Sequence, residues 1–239
     1  MGCDYLKTII IGIYYILYML FMGIRLIKLN LILKLKGETA ADEYKRKVAL
    51  SWSRYTLKVI NMKYEAYGIE NIPSDNCLFV ANHQSILDVP LLLDAVQRPI
   101  GFVAKKELKK VPILRGWVKT MNCLFLDRSD NREAIKTINQ GIEFLKSGVS
   151  MAIFPEGTRS KDGSIQDFKK GSLRLAIRSK TPIVPVAISG SYKGLEEKGR
   201  IVATKVKITF LKPIYTEAIT KEEQNKLPDI IKDNISKYL

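Results

Sequence analysis

The sequence predicts an α/β fold with a mixed, mostly buried sheet flanked by helices, preceded by a hydrophobic N-terminal helical segment that associates with a membrane. From about residue 63 onward, short apolar runs alternate with segments of helical periodicity, which is typical of layered α/β domains. Ahead of that region, residues 8–24 contain no charged side chain. We therefore divide the chain into membrane-anchoring helices over 1–62 and an α/β domain over 63–239.

The uncharged segment comprises seventeen residues. As a helix it reaches about 25 Å, slightly less than the roughly 30 Å hydrocarbon core of a bilayer, so it either spans the membrane or lies in one leaflet. Arg25, Lys28, Lys34 and Lys36 follow it, and such a basic flank predicts that the rest of the chain lies on the cytoplasmic face of the cell membrane. No small-residue cleavage site follows, which argues against a signal peptide.

A second helical pattern lies at 41–61. Its apolar and aromatic residues recur at helical spacing, and most of its basic residues fall on other faces. The residues that carry the pattern are Tyr44, Val48, Trp52, Tyr55 and Val59. This helix is either an interfacial membrane element or a helix packed on the α/β domain with a solvated basic face.

The α/β domain contains six apolar runs of strand length, at 77–81, 100–104, 123–126, 149–154, 183–188 and 206–211. Helical patterns lie at about 85–96, 112–121, 131–146, 171–179 and 217–237. The spacing Ser85-x-x-Asp88 ahead of an apolar run predicts that Ser85 caps the first of these helices. The last helix is predicted to begin after Thr216.

A net charge of +15 and a pI near 9.6 indicate an acidic partner, which could be a nucleic acid, an anionic membrane lipid or a phosphorylated substrate. The basic residues form no nucleic-acid recognition motif, and the apolar segment is unusual for such a protein, so we expect no nucleic acid. A basic membrane-surface scaffold remains the non-enzymatic alternative. The three cysteines lack paired spacing, which favours a reducing compartment. A single histidine without C-x-x-C argues against zinc, and no metal is expected.

His83 is the only histidine of the chain, and Asp88 follows it five residues later. Imidazole titrates near neutral pH, and a carboxylate on its second nitrogen would fix the tautomer, so the pair is a candidate for acid–base catalysis. Positions five apart in one helix are rotated by roughly 140°, so the two can meet only if His83 precedes the helix or lies in its distorted first turn. The alternative is a helix start without a catalytic role.

Two further loops carry residues suited to an anionic ligand. Arg128 follows the run 123–126, and the sequence FPEGTR occupies 154–159. Arginine presents a planar fork to phosphate oxygens, and a glycine such as Gly157 permits close backbone approach. The chain lacks G-x-S-x-G, S-x-x-K, a P-loop and G-x-G-x-x-G. The signals for a serine nucleophile and for nucleotide binding are therefore missing.

Residues 82–88, NHQSILD, and 154–159, FPEGTR, resemble the H-x4-D and FPEGTR motifs of the glycerolipid acyltransferases, specifically the 1-acyl-sn-glycerol-3-phosphate acyltransferase family. The resemblance extends over about 65–215. Weaker matches are the segment 105–117, the arginine-bearing run 123–128 and Val-Pro-Val at 184–186. Asn122 stands where the family commonly has glycine, and the spacing from Pro112 to Gly116 is one residue longer than usual.

The resemblance implies transfer of an acyl group from acyl carrier protein or coenzyme A to the sn-2 hydroxyl of lysophosphatidic acid, which forms phosphatidic acid for phospholipid biosynthesis. His83 would be the general base, oriented by Asp88, with no acyl-enzyme. The thioester is a co-substrate, so no cofactor is expected. The residues that would bind the acceptor are Lys105, Arg128, Glu156, Gly157, Thr158 and Arg159. Acylation of glycerol 3-phosphate or of a lyso-ornithine lipid remains the alternative within this enzyme class.

Overall fold

The computed structural model describes residues 2–127 and 130–239. The chain begins with one long helical element, α1 (Gly2–Val59), which is broken at Gly37. Gly37 has φ 82° and ψ −177°, a backbone conformation that is essentially restricted to glycine. The break divides α1 into a first segment, residues 2–36, and a second segment, residues 38–59.

The two segments of α1 fold back on each other as an antiparallel hairpin. Arg25 in the first segment donates from Nη1 to Ser51 Oγ in the second at 3.1 Å. Closer to the open end of the hairpin, the rings of Tyr18 and Tyr55 stack with their centroids 3.7 Å apart. The two helical patterns of the N-terminal region are therefore one hairpin.

Seven strands lie within the described residues: β1 (Met62–Tyr67), β2 (Leu78–Ala81), β3 (Gly101–Lys105), β4 (Leu124–Leu126), β5 (Met151–Ile153), β6 (Ile183–Ser189) and β7 (Thr204–Phe210). They form one sheet in the order β1-β7-β6-β2-β5-β3-β4. The pair β6 and β7 is antiparallel, whereas the other neighbouring strands pair parallel. The predicted mixed sheet is therefore confirmed.

Helices cover both faces of this sheet. They are α2 (Asp88–Val96), α3 (Pro112–Thr120), α4 (Asn131–Lys146), α5 (Arg174–Ser179) and α6 (Lys221–Ser236). Successive side chains of a strand point to opposite faces, and in β2 Phe79 packs toward α1 and α2 while Leu78 packs toward α4, α5 and α6. The sheet is thus buried between two helical layers.

The hairpin packs on this domain through both α2 and α3. Trp117 is buried and donates from Nε1 to the carbonyl oxygen of Met22 at 3.0 Å. Gly116 allows the close approach, because a Cβ there would lie 2.2 Å from Cδ2 of Leu26. The hairpin and the sheet therefore pack as one body, and the division of the chain after residue 62 stays a prediction.

The structure corrects two predicted helix starts. The helix expected to be capped by Ser85 begins at Asp88, because the Asp88 carboxylate itself accepts the N–H groups of the preceding loop. The last helix begins at Lys221, with Thr220 as its cap. Thr216 is instead buried, and its hydroxyl donates to the carbonyls of Ala176 and Thr181.

The strand β1 was not predicted. It is a partly exposed edge strand that pairs only with β7 within the described part of the chain, and it carries the exposed residues Lys63 and Glu65. Its sequence therefore lacks the continuous apolar run that marks the central strands.

Candidate active site

The predicted site residues that the structure describes lie at one edge of the sheet. The strands β6, β2, β5, β3 and β4 run parallel, so their carboxyl ends meet where ligands bind in open α/β sheets. His83 follows β2, the FPEGTR segment follows β5 and Lys105 ends β3 with an exposed side chain. Arg128 lies outside the described residues.

His83 and Asp88 are in contact. The Nδ1 atom of His83 lies 2.8 Å from Oδ2 of Asp88, and Asp88 is fully buried. This contact is possible because His83 lies in the loop before α2, which we call the histidine loop (residues 82–87). With Nδ1–H donated to the carboxylate, Nε2 is left as the proton acceptor.

The same carboxylate also shapes the histidine loop. Its Oδ2 atom accepts the backbone N–H of Gln84 at 2.7 Å and that of Ser85 at 2.8 Å. Asp88 therefore fixes both the loop backbone and the imidazole ring that the loop carries.

Ser191 completes this network, and sequence reasoning missed it. Ser191 is fully buried just after β6, where Gly190 takes φ 92°. Its hydroxyl lies 2.5 Å from Oδ1 of Asp88, so the second carboxylate oxygen is also hydrogen-bonded. The Val-Pro-Val match at 184–186 lies in the same strand, but no pattern marked the serine beyond it.

The segment after β5, residues 154–160, which we call the arginine loop, packs directly on the histidine loop. The ring of Phe154 stacks on the imidazole of His83 with centroids 4.1 Å apart and planes 18° from parallel. The backbone N–H of Ser160 donates to the carbonyl oxygen of His83 at 2.9 Å. The NHQSILD and FPEGTR motifs therefore lie in one site.

Glu156 joins the two loops through backbone contacts. Its side chain is buried, with Oε1 accepting the N–H of His83 at 2.6 Å and Oε2 accepting that of Gln166 at 2.8 Å. Burial raises the pKa of the Glu156 carboxyl above its ordinary value, and the N–H donors of Gln166 and His83 oppose that rise. Glu156 therefore holds the backbone at His83 and Gln166 in place. Its direct binding of the acceptor stays a prediction.

The remaining residues of the motif are more open. Gly157 has φ 74° and donates its N–H to the carbonyl oxygen of Phe154 at 3.0 Å, which forms a tight turn. Thr158 and Arg159 follow with exposed side chains. The turn thus presents Arg159 next to the histidine loop.

Arg159 has an acidic partner that sequence reasoning also missed. Its Nη1 atom lies 3.0 Å from Oε1 of Glu196, a residue in the connection between β6 and β7. The same oxygen accepts the backbone N–H of Ile86 at 2.8 Å. Nothing in the local sequence around Glu196 indicates this role, because both partners lie far away in the chain.

Comparisons with known proteins identify the family to which this chain is similar. Residues 63–189 match the model of a protein family described as Acyltransferase. The chain is 33% identical over 200 residues to a chloroplastic 1-acyl-sn-glycerol-3-phosphate acyltransferase of Brassica napus, which covers 79% of this chain and 57% of that protein. A 1-acyl-sn-glycerol-3-phosphate acyltransferase of Saccharomyces cerevisiae is 35% identical over 181 residues, which is 74% of this chain and 60% of the relative. The chain thus spans less than two thirds of these curated relatives.

A solved structure matches over more of its length. The crystal structure of the 1-acyl-sn-glycerophosphate acyltransferase PlsC from Thermotoga maritima has a TM-score of 0.84 and 31% sequence identity to this chain. The match covers 98% of this chain and 95% of that one. The likeness therefore includes the hairpin as well as the sheet and confirms the predicted fold class.

Proposed function

This chain belongs to the acyltransferase family, and on that premise we propose that it acylates the sn-2 hydroxyl of 1-acyl-sn-glycerol 3-phosphate to form phosphatidic acid. The acyl donor is a thioester of acyl carrier protein or coenzyme A, which acts as co-substrate without a further cofactor. The observation that carries the proposal is the contact of His83 with Asp88 beside a loop that presents Arg159.

The proposed chemistry requires one general base. An alcohol is a very weak acid, whereas a thiol has a pKa of about 8.5 and leaves readily as thiolate. Nε2 of His83 takes the hydroxyl proton while the oxygen attacks the thioester carbonyl, and Asp88 stabilises the resulting imidazolium. Collapse of the tetrahedral intermediate breaks the C–S bond, and the thiolate recovers the proton from His83. No acyl-enzyme forms.

Binding of the acceptor phosphate is assigned to the cationic groups at this edge of the sheet. The Arg159 side chain is 40% exposed, so its guanidinium is accessible to a ligand. Lys105 at the end of β3 and Arg128 are the further proposed cations, and Gly157 and Thr158 are the proposed polar contacts of the turn. Glu156 is proposed to act through the backbone of His83.

The hairpin is proposed to anchor the enzyme in the cytoplasmic leaflet of the cell membrane. By length and composition, α1 is apolar enough to cross a membrane. However, the first segment contacts the α/β domain at both Thr8, which accepts the N–H of Ile201, and Leu26, which meets Gly116. These points lie roughly 27 Å apart along the helix. A helix held along the domain surface over this length supports insertion into one leaflet.

A panel of substrates tests the proposed function. Purified protein in detergent is incubated with lysophosphatidic acid, glycerol 3-phosphate or a lyso-ornithine lipid, each with acyl carrier protein and coenzyme A thioesters. We expect phosphatidic acid from the first acceptor, and the faster thioester identifies the donor. Faster acylation of either other acceptor would replace the proposed substrate, and no acyl transfer to any acceptor would favour a membrane-surface scaffold.

A further inference from the structure

We propose that Glu196 is a positioning residue that orients Arg159 for the acceptor phosphate and ties it to the histidine loop. This inference rests on the proposed function, and it assigns a role to a residue outside the NHQSILD and FPEGTR motifs. Glu196 lies in the connection between β6 and β7, which leaves the sheet at the same edge as the site.

One carboxylate oxygen of Glu196 contacts both the histidine loop and the arginine loop. Oε1 of Glu196 accepts the N–H of Ile86 in the histidine loop at 2.8 Å and contacts Nη1 of Arg159 in the arginine loop at 3.0 Å. A change in the position of Glu196 would therefore move both motifs.

The carboxylate of Glu196 is also buried. The Glu196 side chain is 4% exposed, and Oε2 has no hydrogen-bond partner among the residues that the structure describes. A buried carboxylate is costly unless it is paired with a cation. Arg159 supplies that cation, so the pair fixes the direction of a guanidinium that is otherwise on an exposed turn.

The contact leaves Arg159 able to bind a ligand. A guanidinium carries five N–H donors in a rigid fork, and the contact with Glu196 involves Nη1. An acceptor phosphate can therefore approach other N–H groups while Glu196 holds the plane of the fork. This predicts that loss of Glu196 weakens the binding of a phosphate-bearing acceptor more than it slows the chemical step.

The test compares Glu196→Ala, Glu196→Gln, Arg159→Ala and the double variant Arg159→Ala/Glu196→Ala with the wild-type enzyme. Glu197→Ala serves as the control, because Glu197 is an exposed neighbour in the same connection. KM for lysophosphatidic acid and kcat are measured for each, and thermal unfolding checks that each variant is folded. Phosphatidic acid production by the wild-type enzyme tests the proposed function separately.

We expect Glu196→Ala to raise KM by about 10-fold, the effect of a lost charge-assisted hydrogen bond, with a smaller change in kcat. Glu196→Gln should recover most of the affinity, because its amide oxygen still accepts from Ile86 and Arg159. The double variant should have the same KM as Arg159→Ala alone. An unchanged KM in Glu196→Ala, or additive effects in the double variant, would overturn the inference while leaving the wild-type activity intact.

Discussion

At the scale of single residues, Asp88 is the group on which the site is built. Its Oδ2 atom contacts the imidazole of His83 and accepts two backbone N–H groups, and its Oδ1 atom is hydrogen-bonded to Ser191. A fully buried carboxylate requires such donors. The same contacts that stabilise its burial also fix the orientation of His83, the proposed base.

Ser191→Ala tests this network without touching a proposed substrate contact. Removing the hydroxyl leaves Oδ1 of the buried Asp88 without this donor, so we expect kcat to fall on the order of 10-fold with little change in KM. Steady-state kinetics measure both constants. Thr209→Val is the matched control, since the buried Thr209 hydroxyl makes no hydrogen bond within the described part of the chain. Equal kcat values for Ser191→Ala and the wild-type enzyme would contradict the proposed role.

The sequence identified some site residues and missed others for a physical reason. His83 and Asp88 are five positions apart, so their contact depends on one local turn and could be predicted. Ser191 contacts Asp88, and Glu196 contacts the histidine loop, each from more than one hundred positions away. Their roles depend on the order of strands in the sheet, which local sequence patterns do not determine.

At the scale of elements, the break in α1 determines how the hairpin forms. Two helical patterns were visible in the sequence, but their antiparallel pairing was not, because it depends on the conformation of one residue, Gly37. Central strands were predicted well since their apolar runs are continuous. The edge strand β1 was missed because it is partly exposed. The two helix starts were misplaced because Asp88 accepts N–H groups from the preceding loop and Thr216 bonds to distant carbonyls instead of capping a helix.

Gly37→Ala tests the hairpin break directly. A Cβ at this position meets no atom within 4 Å, so the expected loss of about 1–3 kcal/mol arises from backbone strain alone. Thermal unfolding in detergent measures the change in stability. Gly12→Ala is the control, because Gly12 lies inside the first segment of α1 with the same open space, and it should be neutral or stabilising by about 0.5–1 kcal/mol. Equal stability of the two variants would contradict the strain at Gly37.

At the scale of the whole molecule, basic charge and one apolar surface together support the proposed membrane contact. The chain carries a net charge of +15, and large apolar side chains are exposed along the first segment of α1. An apolar surface of this extent is typical of a membrane contact. The candidate site would then lie close to the membrane that holds the proposed lipid acceptor.

The double variant Leu17→Lys/Ile24→Lys tests whether the apolar surface on the first segment of α1 contacts lipid. Both side chains are more than half exposed in the structure, at 57% and 63%, and each would lose an apolar contact with lipid of about 1.5–3 kcal/mol. We expect binding to uncharged phosphatidylcholine vesicles, where the added lysines gain no surface attraction, to weaken by at least ~100-fold in sedimentation assays. Ile135→Lys is the control, since Ile135 on α4 is 58% exposed but lies away from α1. Equal binding by both variants would contradict the anchor.

The most direct test of the proposed mechanism is the turnover of His83→Ala with lysophosphatidic acid and the preferred acyl thioester. Loss of the general base should lower kcat for phosphatidic acid formation by at least ~10²-fold, while vesicle binding and thermal unfolding stay close to those of the wild-type enzyme. A variant that turns over at a near wild-type rate would show that His83 is not the base, and the proposed mechanism would be wrong.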